Sequence, residues 1–209
     1  MNELDRYFEL IAERPELFIN NGNLSIIKDR QKIIAYMNTY NKKIGVIYES
    51  PFNTFVVDLV QDKNQDIFTY ERLIKEDNSV IVIVKYENKY LLLKQYRHAL
   101  RCEQYAFVRG FGEKGLSAEK NALKEVEEEI GGRVTSIKEL SSIVLDSGLC
   151  GSEAKVFVVE ISEYNIPIGY EGIKEYKLVT TEKLVEMIRN GFINDSPTLS
   201  AFCLERTSF

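Results

Sequence analysis

The sequence predicts an α/β fold behind an amino-terminal α+β extension, on three observations. Apolar, strand-like runs succeed one another through the middle of the chain, one long helical stretch from Ser117 to Ile130 contains neither glycine nor proline, and two capped helical stretches close the chain. With 209 residues, 44% of them hydrophobic, there is material for one generous domain, or for one domain with a smaller companion, and no need of covalent staples.

Taken in order, Leu4, Tyr7, Phe8, Leu10 and Ile11 recur at helical spacing until Pro15 interrupts them, which predicts a first amphipathic helix. After the turn-like NNGN come the short apolar run LSII, a helical stretch around RQKIIAYMNTY, and the strand-like IGVIYES and TFVVDLVQD. DIFTYERLI, SVIVIVKY and KYLLLKQYRHAL read as successive strands of a sheet, with ENK and its neighbours turning the chain between the last two. The long helix follows, capped by Ser117 and stopped by Gly131, and filled with the strong helix formers Ala, Leu, Lys and Glu. SSIVLDSG and AKVFVVEIS read as strands, TEKLVEMIRNG and SPTLSAFCLERT as the closing helices. Residues 1–75 are assigned to the extension and 76–209 to the main domain.

A formal charge of −5 with no long basic run argues against a nucleic-acid polymer as partner, while leaving room for a local basic pocket that takes a small phosphorylated ligand. Cys102, Cys150 and Cys203 are odd in number and far apart, so neither a disulfide framework nor a CxxC metal site is signalled, and a reducing cytoplasm is expected. The amino terminus carries charges throughout and lacks the apolar core of a signal peptide, and no segment approaches a membrane span. His98 is the single histidine; HExxH is excluded, and without GxSxG a Ser-His-Asp mechanism has little to stand on.

On the long helix Ala122, Leu123, Val126 and Ile130 make the apolar stripe, and three- and four-residue spacing puts Glu125, Glu128 and Glu129 together on another face, with Glu127 pointing elsewhere. Such crowding costs stability unless water screens it or a cation compensates it. A bare EVEEE is ordinarily a solvated helix face. Three clustered carboxylates are also what a magnesium ion takes, together with water and substrate phosphates.

Gly110 to Gly131 resembles the signature of the Nudix hydrolases: Gly110 matches the first glycine, Glu125 the glutamate after the arginine, Val126 the aliphatic residue, Glu128 and Glu129 the paired glutamates, and Gly131 the last glycine. Leu116 replaces the early glutamate, Lys124 the arginine, and Gly132 the final aliphatic residue. The missing acid and guanidinium read as one coupled departure, with the lysine free to reach toward the carboxylates or water. The stretches KYLLLKQYRHAL, FVRGFGEKG, DSGLCGSEAKVFVVEI and GFINDSPTLSAFCL look like segments of ADP-ribose pyrophosphatase-type members, so the resemblance covers roughly Phe55 to the end.

The resemblance implies a Nudix-fold α/β/α sandwich with a mixed sheet, the extension helping to form a homodimer. It implies Mg2+ or Mn2+ held by Glu125, Glu128, Glu129 and the backbone carbonyl of Arg109, with the same glutamates catalytic and Glu153 a candidate water activator. Arg97, Arg109 and Lys124 are the candidate substrate-binding residues, Arg97 through its forked guanidinium. Glu113 is a candidate assistant to the metals set against a turn-surface reading, His98 is read as surface, and Tyr96, Tyr105 and Phe107 as core. The expected reaction is hydrolysis of the diphosphate in a nucleoside diphosphate linked to another moiety, ADP-ribose giving AMP and ribose 5-phosphate. The alternatives are another nucleotide substrate (a nucleoside triphosphate, dinucleoside polyphosphate or nucleotide sugar) or a module that senses a nucleotide without cleaving it.

Overall fold

The computed structural model describes residues 2–75 and 77–208; of the expected segments only the terminal positions Met1, Glu76 and Phe209 lie outside the described residues. The chain divides into two compact units, Met1–Lys75 with Asp146–Gly151, and Glu76–Leu145 with Ser152–Phe209.

In the first unit α1 (Glu3–Glu13) starts on Asn2, whose side chain accepts from the Asp5 amide, and a 3-10 turn at Pro15–Phe18 follows. After β1 (Ser25–Ile26), α2 (Arg30–Tyr40) is capped by Asp29 and leads into β2 (Gly45–Glu49), β3 (Asn53–Gln61) and β4 (Ile67–Lys75). The strand β3 is central: β1 and β2 share one of its edges and β4 takes the other, all antiparallel. DIFTYERLI therefore belongs to this sheet, paired with β3 and not leading the next one; the Asp62 carboxylate, accepting from the Asn64 and Asp66 amides, turns the chain back on itself. Tyr7, Phe18, Ile33, Ile44, Val56 and Leu59 fill the core. The segment Asp146–Gly151 lies along β4, where Leu149 and Gly148 carbonyls accept from the Leu73 amide and the Tyr70 hydroxyl.

The second unit is built on a seven-stranded mixed sheet. Strands β5 (Ser79–Tyr86) and β6 (Lys89–Arg97) pair only beside their tight turn, at Lys85 with Tyr90 and Tyr86 with Lys89, and then part. The gap is filled by β7 (Cys102–Ala106), which pairs with β6, and β8 (Val108–Gly110), which pairs with β5. Beyond β5 come β10 (Glu153–Ile161), parallel to it, and β9 (Val134–Val144), antiparallel to β10; β11 (Ile173–Val179) lies on the far side of β6. Alternation along β5 sorts the two faces. Val80, Val82 and Val84 pack with α3 (Ala118–Glu125) through Ala118 and Ala122, whereas Ile81 and Ile83 join the core that holds α4 (Thr181–Arg189) and α5 (Ser196–Thr207) through Leu184, Met187, Ala201 and Phe202. The result is the expected α/β/α sandwich. Among the described residues no helix is long and apolar enough to cross a membrane, and all three cysteines are free.

Candidate active site

The parting of β5 and β6 places three chain segments around one acidic helix end. Helix α3 begins on Ser117, which accepts from the Lys120 amide, and is anchored by the buried Asn121, whose side-chain amide donates to the carbonyls of Asn78 and Phe111 at 3.0 and 2.7 Å. That ties the helix to the chain just past Gly110. A Cβ at Gly110 would stand 2.3 Å from Glu125 Oε1, so only glycine lets this carboxylate lie against the strand.

The helix does not continue as α to its end. Val126–Ile130 forms a π-helical turn, closed by Gly131 in the left-handed region at φ 59°, whose amide donates to the Val126 and Glu127 carbonyls. Sequence spacing assumed an α-helix here, and the wider turn changes the shared face. Glu129 turns inward and is 3% exposed, Glu125 is half-buried, and Glu128 stays on the outer side. Gly132, in place of an aliphatic residue, leaves no void: a Cβ there would already be 3.2 Å from Val126, Ile130 and Ile161.

Burial, followed by the charge of Glu129, pushes the Glu125 carboxyl up to about 8. Burial likewise pushes Glu129 up to about 7, although the Gln95 side chain hydrogen-bonds to it and opposes the shift. Gln95 Nε2 donates to Glu129 Oε1 at 2.6 Å, while the other oxygen, Oε2, is buried without a partner. On its other side Gln95 Oε1 accepts from Arg97 Nη2 at 2.7 Å, and Arg97 Nε is again buried without a partner. Arg97 is pushed below the ordinary guanidinium value, first by burial and then by the charge of Arg109. Arg109 is itself steered by Asp195, 3.2 Å from its Nη1, and Asp195 is fixed by accepting from the amide and hydroxyl of Thr198 at the start of α5.

Of the residues expected from sequence, Glu125, Glu129, Arg97 and Arg109 act on one another through their charges, and Glu128 and Lys124 join them from the outer side. Lys124 reaches the carboxylates, as expected of the lysine that replaces the arginine: its Nζ lies 2.5 Å from Glu113 Oε1 and 3.5 Å from Glu128 Oε2. Glu153 has other neighbours. It opens β10, its carboxylate accepts from Ser142 at 2.5 Å, and the charged neighbour it acts on is Lys155. His98 is exposed beside Arg101, and Tyr105 and Phe107 are core, but Tyr96 is 41% exposed.

Glu171 was missed. It sits between Gly169 and Gly172 on a 3-10 turn leading into β11, with φ 45° and ψ 30°, and its charge acts on Glu125, Glu129 and Arg97 together. A non-glycine residue held in this region is a strained feature of the kind that gathers at working sites. The signal available in the sequence was GYEG, an acid between two glycines.

The donor set suits a hard divalent cation: carboxylates only, crowded and desolvated, with one buried oxygen left unanswered. Among the described residues no group of three or more His, Cys, Asp or Glu side chains is already arranged to hold a metal ion. Beside the carboxylates, two mutually repelling guanidiniums with a spare donor suit an anion.

A family model for the NUDIX domain matches residues 75–201. An ADP-ribose pyrophosphatase of Bacillus subtilis (strain 168) is 26% identical over 133 residues, 62% of this chain and 72% of the relative. Among solved structures, that of an ADP compounds hydrolase superposes with a TM-score of 0.69 at 17% identity, covering 78% of this chain and 90% of the other, a likeness of fold.

Proposed function

The chain belongs to the Nudix family, whose domain spans more than half of it, and from that premise we propose a pyrophosphohydrolase that cleaves ADP-ribose to AMP and ribose 5-phosphate with Mg2+ or Mn2+. The observation that carries the proposal is the buried, unpartnered Glu129 Oε2 facing away from Gln95, with the equally unpartnered Arg97 Nε close by in the same network. The relative's printed activity and its 26% identity support the substrate.

Glu125, Glu128 and Glu129 would hold the cation, which when bound neutralises phosphate oxygens and makes water acidic enough to ionise near neutral pH. Arg97 and Arg109 would take the charge of the diphosphate, Arg109 aimed by Asp195. Water adds to one phosphorus, the bridging P–O bond breaks, and the leaving phosphate keeps the electron pair. Glu171, whose charge already reaches Glu125 and Glu129, takes the water proton in this scheme in preference to Glu153, whose carboxylate accepts from Ser142. The first unit serves as a dimer interface, in keeping with its exposed Tyr40, Tyr48, Phe52 and Ile67, and the free cysteines suit a reducing cytoplasm.

The test is product analysis with Mg2+ over a panel of ADP-ribose, nucleoside triphosphates, nucleotide sugars and dinucleoside polyphosphates. AMP and ribose 5-phosphate, at the highest kcat/KM in the panel, are expected. Pyrophosphate released from a triphosphate at a higher kcat/KM would move the substrate, and tight binding without any turnover would make the chain a sensor. Light scattering should give twice the chain mass; a stable, fully active monomer would reject the dimer.

A further inference from the structure

Gln95 is a neutral side chain set between an acid and a guanidinium that attract each other. Arg97 and Glu129 feel each other's charge, Glu129 is buried and Arg97 half-buried with its Nε enclosed, and a fork-to-carboxylate pair is the strongest arrangement open to such groups. The structure shows no such pair. Gln95, 3% exposed, instead donates to Glu129 at 2.6 Å with one end of its amide and accepts from Arg97 at 2.7 Å with the other. Each charged group is left with one buried, unanswered atom, Glu129 Oε2 and Arg97 Nε.

We propose that Gln95 is a positioning residue, a spacer that keeps Arg97 and Glu129 from neutralising each other and so leaves the carboxylate for a cation and the guanidinium for a phosphate. The proposal rests on the reading of the site given above. Its physical basis is a competition. A direct Arg97–Glu129 pair would occupy both unanswered atoms at once, and the low dielectric of the site would hold that pair firmly. The Gln95 amide satisfies half of each group, and its orientation is fixed because donor and acceptor ends meet partners of opposite need. Removing it does more than delete two hydrogen bonds: it frees Arg97 to close over Glu129. A residue that merely packed would have no such dependence on Arg97.

The experiment is a double-mutant cycle of Gln95→Met and Arg97→Met read as Mn2+ affinity, by calorimetry and by the electron spin resonance of free Mn2+, on the full chain without nucleotide. Met keeps the bulk of Gln95 and spares the fold. Gln95→Met alone should weaken Mn2+ binding by about 10- to 100-fold, as loss of a ligand's outer partner commonly does. Arg97→Met should then restore most of that loss, so that its gain in the Gln95→Met background exceeds its gain in the wild type by roughly tenfold. If the two effects simply multiply, Gln95 only packs or only orients Glu129, and the spacer role is overturned. Should Gln95→Met leave Mn2+ affinity unchanged, the proposal is equally lost. If Gln95→Met does not fold, Gln95→Leu takes its place in the same cycle, where the bridging amide is again removed and rescue again must depend on Arg97. Wild-type chain that binds no Mn2+, or binds it equally well as Glu129→Gln, would overturn the metal reading itself, an outcome distinct from bound metal without coupling.

Discussion

Two buried charged centres, one in each unit, differ in how completely they are answered. In the first unit Asp58, 1% exposed, accepts from the Tyr7 hydroxyl at 2.5 Å and from Arg72 Nη2 at 3.2 Å with one oxygen, and from Arg72 Nε at 2.5 Å with the other. Arg72 spends its remaining Nη1 on the Leu17 carbonyl at 2.8 Å and lies over the Phe18 ring. In the second unit Glu129 and Arg97 are held at arm's length by Gln95, each with an atom to spare. Burial of charge is common to both, so it does not mark function. They differ in unused bonding capacity: the closed centre holds strands together, and the open one keeps an acceptor and a donor of opposite charge without partners.

The sharpest way to break this contrast is to open the closed centre. Asp58→Asn leaves the half-buried Arg72 guanidinium without its buried counter-charge, and we expect a loss of about 3 kcal/mol in unfolding free energy by denaturant titration. A loss below about 1 kcal/mol would place Asp58 among weak surface pairs and erase the distinction.

The open centre should respond in the opposite currency. Glu129→Gln or Glu128→Gln should lower turnover by two to three orders of magnitude, about 3–4 kcal/mol of transition-state stabilisation, with little change in the denaturation midpoint. Glu171→Gln belongs with them, at a cost of about 100-fold or more if it takes the water proton. Full activity in a folded Glu128→Gln chain would remove the metal assignment.

A smaller effect follows from protonation. Against the ordinary carboxylate value of 4.5, Glu125 is raised to about 8 and Glu129 to about 7 by burial. Between those values and 4.5 the folded chain binds more protons than the unfolded one, so stability is highest at the acid end of that window and falls as pH rises through it. Melting temperatures of the metal-free protein should decline across this range, less so in Glu125→Gln and Glu129→Gln. A flat wild-type profile would show that these carboxylates ionise without hindrance, as in a solvated helix face.

The same contrast explains what the sequence disclosed. Elements that carry their own stop and start signals were legible: α2 at RQKIIAYMNTY, α3 after Ser117, and α5 over SPTLSAFCLERT. Strands defined by their neighbours were not. Strands β7 and β8 exist because β5 and β6 part, β11 buries only Ile173 and Val179 among charged residues, and β9 begins at Val134 ahead of the expected SSIVLDSG because its half-exposed face reads as polar. At the site the three glutamates lie within one run and were found together. Glu171 arrives from a distant loop, and the π-helical turn that buries Glu129 leaves no mark in a composition suited to any helix.

The smallest expected effect concerns Glu153, the water activator that loop resemblance suggested. Its backbone pairs with Val144 at the start of β10, and its carboxylate accepts from the Ser142 hydroxyl on the neighbouring strand. Glutamine keeps a side-chain oxygen that accepts the same bond, and loses only an attraction to Lys155, whose own partner Glu139 remains at 2.8 Å. The carboxylates that burial has raised feel Glu171 and draw nothing from Glu153 among their leading causes. Glu153→Gln should therefore change stability by less than about 0.5 kcal/mol and kcat/KM by no more than roughly twofold. The pH–rate profile adds a readout that packing would not move: the acidic limb should persist in Glu153→Gln and vanish in Glu171→Gln. If the limb vanished in Glu153→Gln instead, the proton acceptor would be Glu153, and the field of Glu171 on the acidic helix end would serve only to position the metal ligands.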